Sequence, residues 1–225
     1  MAETDKSTAR RGFYARKLRM PAIAAAAAAG LLGGLAFSTP AAQAAPPTPP
    51  TKAEALSLLD GLPVAAPGSM DGYDRDLFPH WISQGDNCDT RELVLQRDGT
   101  DVETDDQCRA VGGSWYSEYD DTTVNNSSDI DIDHIVPLAE AWRSGATDWS
   151  ESKRRSFANN LTAAQLIAVS ASSNRSKGDK DPADWMPRAG YQCVYARSWV
   201  GIKNDYAMNV DEAEKAALTS ALNAC

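Results

Sequence analysis

Residues 129–142 read DIDIDHIVPLAEAW, and residues 157–181 read FANNLTAAQLIAVSASSNRSKGDKD. In the first stretch Ile130 and Ile132, then Ile135 and Val136, interleave with Asp129, Asp131, Asp133 and His134. Period-2 alternation of β-branched and polar residues predicts a half-buried strand. Pro137 has no N–H for a ladder, so the strand is expected to stop there, with Asp133 and His134 at its end. Leu166-Ile-Ala-Val169 predicts a partner strand. Ser170 to Ser173 supply N-cap candidates for a short helix carrying Asn174, Arg175 and Lys177. Strand, strand and helix would bring an acid, an imidazole and an amide together, a grouping suited to a metal ion and a base.

The segment DHIVPLAEAW followed by NRSKGDKDPADWMP resembles the HNH, or ββα-metal, endonucleases, and most closely their secreted actinobacterial branch. The resemblance extends over Tyr73 to Cys225 and includes CDTRELVLQRD at Cys88 to Asp98. It implies that His134 activates water and that Asp133 and Asn174 hold one divalent cation, Mg2+ or Mn2+. The family's middle position, usually Asn, is Gln165 here, expected to support the loop and the orientation of His134. Asn159 and Asn160 lie nearby as alternatives for that role. Arg91, Arg175 and Lys177 are then candidates to steady flanking phosphates of a nucleic acid, DNA or RNA. The resemblance further implies 5′-phosphate and 3′-hydroxyl products.

Residues 1–45 carry a basic segment (Arg10, Arg11, Arg16, Lys17, Arg19), an apolar run from Ala22 to Phe37 and an Ala42-Gln-Ala44 cleavage pattern. That order predicts a secretory signal peptide. Arg10-Arg-Gly-Phe13 also resembles a twin-arginine signal. Six of the 22 Lys/Arg and two of the 31 Asp/Glu lie in this segment, so without it the formal charge moves from −9 to −13. This acidic balance counts against a nuclease, because proteins that hold DNA usually show a basic footprint and phosphate contacts dominate their affinity. A bound cation and the basic residues near the motif (Lys153, Arg154, Arg155, Arg175, Lys177, Lys180) offset this locally. Four cysteines in an exported chain predict two disulfides, with three possible connectivities. Cys88–Cys108 with Cys193–Cys225 is the simplest, each closing a local loop.

Along the chain, 46–72 reads as a Pro-rich linker, a short helix and a turn-rich loop, and 73–225 as the nuclease domain. Thr51-x-x-Glu54 is a capping box for the helix ending at Leu59. Glu92 to Arg97 is expected as a strand, Ser114 to Tyr116 as another, and Asp120 to Ser128 as a polar loop. Leu138 to Trp142, Ser150 to Phe157, Tyr191 to Tyr206 and a segment opened by Asp211-x-x-Glu214 are expected as helices. His80 reads as a packing residue, and Glu140 as an outer group facing the site or solvent. The fold class is α+β: a ββα-metal finger in a small antiparallel sheet with packed helices, stapled by disulfides, monomeric and free of the membrane.

Two readings compete with a hydrolase. Asp133 could merely cap a strand end beside a satisfied histidine, and the fold could serve a secreted binding module that grips without cutting. Gln165 and the acidic balance favour that module. A glycosidase using Asp131 and Asp133 is poorly supported: the two share a strand face, but no acid partner is specified.

Overall fold

In chain order the elements are α1 (Lys52–Gly61), β1 (Ser83–Gly85), β2 (Cys88–Asp89), α2 (Thr90–Asp98), β3 (Gly99–Thr104), β4 (Ala110–Ser117), β5 (Thr122–Val124) and β6 (Ile130–His134). They are followed by α3 (Leu138–Arg143), α4 (Glu151–Ala158), β7 (Leu166–Ser170), α5 (Ala171–Lys177), α6 (Ala189–Asp205) and α7 (Glu212–Asn223). This computed structural model describes residues 46–225, and the signal peptide expected over 1–45 lies outside them. The class is mixed α+β, with three small antiparallel sheets ordered β1-β2, β3-β4-β5 and β6-β7.

Local rules account for most boundaries. Capping boxes Thr51/Glu54 and Asp211/Glu214 open α1 and α7, and the Ser150 hydroxyl caps α4. The segment 92–97 departs from the expected strand and lies within α2. Asp89 and Glu92 form a third capping box, with Glu92 N–H to Asp89 Oδ1 at 2.9 Å and Asp89 N–H to Glu92 Oε2 at 2.7 Å. The apolar trio Leu93-Val-Leu95 imitates a strand, but the cap fixes the first helical turn and Val94 and Leu95 bury one helix face. The Trp115 indole N–H then satisfies a carbonyl of the last turn, Leu95 O, at 2.8 Å. The polar loop expected over 120–128 holds one short edge strand, β5.

Alternation along β6 is realised as read. Ile130 and Ile132 enter a cluster with Val94, Leu95, Trp115 and Leu166, while Asp131 and Asp133 take the other face. Past the strand, Ile135 and Val136 join a larger core built on Tyr195, Trp199 and Val200 of α6. Both disulfides form in the simplest pairing, Cys88–Cys108 and Cys193–Cys225. The second ties α6 to the chain end just beyond α7. The Pro-rich segment is held against α6: Arg197 donates to Pro50 O at 2.5 Å, and the Pro50 ring lies where a Cβ on Gly201 would come within 3.0 Å of it.

Candidate active site

Five consecutive pairs, Ile130↔Ser170 to His134↔Leu166, lock β6 against β7. The chain turns directly from β7 into α5, whose start is capped by the Ser170 hydroxyl accepting from Ser173 N–H. This strand–strand–helix unit brings Asp133, His134, Asn174 and Arg175 to one cleft of about 220 Å³, which Arg75 and Asp179 also line.

His134 is buried, with both ring faces covered. Trp81 stacks on it at 5.5 Å between centroids and Phe157 lies at 6.4 Å, both within 18° of parallel. Its Nε2 lies 2.9 Å from Ala158 O. A carbonyl only accepts, so Nε2 carries the proton and Nδ1 keeps the lone pair. Burial, aided by the nearby Arg75 charge, drives the ring's pKa from 6.5 to about 3, so the neutral form persists through the physiological range. The unfolded chain gains this proton below pH 6.5 while the native one does not, so the residue's contribution to stability falls as pH drops from 6.5 towards 3. With His134 as the base that the sequence resemblance implies, activity is expected to show no acid limb near pH 6.5. A pH profile of kcat/KM checks this, and a limb at the ordinary imidazole pKa would contradict the burial argument.

Asp133 points away from His134, as neighbours on a strand must. Its Oδ1 takes the Lys177 ammonium at 2.8 Å and its Oδ2 the Tyr119 hydroxyl at 2.5 Å. Burial pushes the carboxyl up and the ammonium down, and each charge holds the other against that penalty. Lys177 is fully buried and also donates to His134 O at 2.8 Å. It is therefore an internal counterion where a phosphate contact was expected. Arg91 likewise spends its guanidinium inside the fold, donating to Ile130 O at 2.9 Å and Ser127 O at 3.1 Å, and so anchors the start of β6. Of the three phosphate candidates, only Arg175 is exposed at the cleft.

Gln165 is wholly buried and pairs with Val136 in both directions, its Oε1 accepting from Val136 N–H at 3.1 Å and its Nε2 donating to Val136 O at 2.9 Å. It staples the loop that follows His134. Asn159 and Asn160 bond elsewhere, to Thr90 and Pro79 and to Tyr206 and Thr162 respectively, and the ring is aimed by Ala158 O instead. Glu140 faces neither site nor solvent; it joins Lys203, Ser144 and Arg143, and Arg143 donates to Asp179 O on the cleft rim. His80 packs edge-on to Trp81 and bonds Phe78 O through Nδ1. The basic trio of α4 is architectural: Lys153 bonds Tyr206 O, Arg154 bonds Leu77 O and Trp149 O, and Arg155 pairs with Glu151.

Tyr119, Trp81 and Arg75 are the site residues that sequence reasoning missed. Trp81 holds a left-handed backbone (φ 46°), a costly conformation for a bulky residue and one that collects at functional sites. Lys177 had a usable signal, since Asn174 and Lys177 lie three apart on a helix and share a face.

Among the described residues no three His, Cys, Asp or Glu side chains are grouped to hold a metal ion. The donor chemistry nevertheless fits one hard cation. Asn174 donates Nδ2 to Asp131 Oδ2 at 3.1 Å, which leaves its Oδ1 open. Each Asp133 oxygen has one partner and keeps a further lone pair. Amide and carboxylate oxygens are what Mg2+ and Mn2+ prefer.

The strand–strand–helix unit thus presents an oriented neutral histidine beside the oxygens of Asp133 and Asn174. Residues 89–221, more than half of the chain, match the family described as GmrSD restriction endonucleases, C-terminal domain, and the chain belongs to that family. It is also 51% identical over 190 residues to an "Uncharacterized secreted protein" of Arthroderma benhamiae, covering 84% of this chain and 93% of that one. This relative is fungal, so the match does not tie the chain to an actinobacterial branch. No solved structure matches it. No helix among the described residues is long and apolar enough to cross a membrane.

Proposed function

We propose that the protein is a secreted, metal-dependent endonuclease that hydrolyses the phosphodiester backbone of DNA or RNA without sequence selectivity, on an HNH-type ββα unit formed by β6, β7 and α5. The observation that carries this reading is the convergence of His134, Asp133 and Asn174 on one polar cleft, with the imidazole neutral and aimed by a backbone carbonyl. Nδ1 of His134 accepts the proton of the attacking water. Ala158 O holds the tautomer, Trp81 and Phe157 hold the ring plane, and Gln165 holds the loop behind it. Asp133 and Asn174 would hold the cation, which supplies polarisation of the phosphoryl oxygen and stabilisation of the leaving alkoxide. Arg175 steadies a flanking phosphate.

The experiment is a metal titration of plasmid cleavage by wild type and Asn174→Ala. EDTA should abolish cutting, Mg2+ or Mn2+ should restore it, and Asn174→Ala should need more metal and approach wild type at saturation. Identical titrations would remove Asn174 from the ligand set. The Asp133–Lys177 pair, which already neutralises the carboxylate, favours a second reading: a binding module on the same cleft. Nucleic-acid binding with no metal-dependent cutting would select it.

A further inference from the structure

We infer that Arg75, which lies outside the family-matched residues, is a second phosphate-binding residue of the cleft, and that with Arg175 it selects a polynucleotide chain over an isolated phosphodiester. The inference rests on the nuclease-cleft reading and extends it to the class of substrate. Residues 46–225 contain sixteen Lys and Arg, the 22 of the whole chain less six in residues 1–45. Among the described residues, only Arg75, Arg175 and Lys215 make no side-chain hydrogen bond or ion pair. In a chain with a large excess of carboxylates, surface guanidiniums find partners cheaply, and the exposed Arg109 and Arg155 have done so. Two of the three unpartnered cations line one cleft, beside the proposed base.

Arg75 is also well placed to wait there. It opens a 3-10 turn, Arg75–Leu77, whose start is capped by Asp74 Oδ1 accepting from Asp76 N–H at 2.9 Å. The turn's far end is fastened twice: Arg154 donates to Leu77 O at 2.9 Å, and the next residue, Phe78, is fully buried against Phe157 and Trp142. The backbone is anchored while the guanidinium stays exposed. Arg175 comes from a separate element, α5. A planar guanidinium binds a phosphate through paired N–H donors. Held on two separate elements, the pair can each take a different phosphate of a polynucleotide, which an isolated phosphodiester does not offer. The local positive charge also answers the acidic balance of the chain, since contact is then confined to the cleft.

The test is fluorescence anisotropy of a labelled oligonucleotide in EDTA, with the oxidised protein, over a series of salt concentrations. No chemistry occurs in this assay, so it is independent of whether the protein cuts. Arg75→Ala should weaken binding about threefold to tenfold and lower the salt slope by about one, as loss of one phosphate contact does. Arg175→Ala should do the same, while Lys215→Ala, which removes an unpartnered charge from α7, should bind as wild type. In a parallel metal-loaded assay, Arg75→Ala should lower oligonucleotide cleavage by a larger factor than it lowers hydrolysis of bis(p-nitrophenyl) phosphate, and equal losses would overturn the selection of a chain. Wild-type binding and slope in Arg75→Ala overturns the inference, as does equal weakening by Lys215→Ala. Absence of cutting with the anisotropy results intact would overturn the nuclease reading alone.

Discussion

His134→Ala is expected to lower phosphodiester cleavage by about 10²- to 10⁴-fold, the usual cost of losing a general base. The ring is buried between Trp81 and Phe157, so alanine also leaves a cavity and an unpaired Ala158 carbonyl. His134→Gln, whose side-chain Nε2 keeps an N–H donor in reach of that carbonyl, separates the two effects. It should melt closer to wild type yet remain as inactive as the alanine variant. Initial rates of plasmid nicking, read beside thermal melts, check this. Activity of a well-folded His134→Gln within a few-fold of wild type would reject the base assignment.

Lys177→Met is expected to lower stability by about 3–5 kcal/mol, because it removes one partner of a buried pair and strands the other. The side chain is fully buried, with its charge against Asp133 Oδ1 and His134 O at 2.8 Å each. Methionine fills the volume but leaves the Asp133 carboxylate with Tyr119 alone. For a chain of this length each kcal/mol moves the Tm by about 2–4 °C, so the shift is readily measured. The double change Asp133→Asn with Lys177→Met should recover part of the loss, since neither charge is then stranded. A single variant as stable as wild type would show that the pair does not support the fold.

These two residues also mark where sequence reading succeeds and stops. The β6 alternation, the β7 partner and the Ser170 cap are local patterns, and local patterns specify the strand–strand–helix unit that carries the site. His134 and Asn174 are legible for the same reason, because a strand end and the following helix fix their neighbourhood. Lys177 and Arg91 stand in the sequence as candidate phosphate contacts, because a cation with no known partner is free to meet a substrate. Their partners, Asp133 and the carbonyls of Ser127 and Ile130, come from distant turns of the chain. Tyr119 and Arg75 reach the site from loops with no periodicity, so only tertiary packing reveals them. The segment of α2 differs: its strand-like apolar trio is preceded by a local helix signal, the capping box Asp89-x-x-Glu92.

The proposed function makes this cleft a metal-dependent hydrolytic centre run by His134. It is tested most directly by nicking of supercoiled plasmid by wild type and His134→Gln prepared in parallel, each in EDTA and in excess Mg2+. Wild type is predicted to cut only with the metal, and the variant to cut in neither condition. Cutting by wild type in EDTA, or equal cutting by a folded variant with metal, would contradict the account.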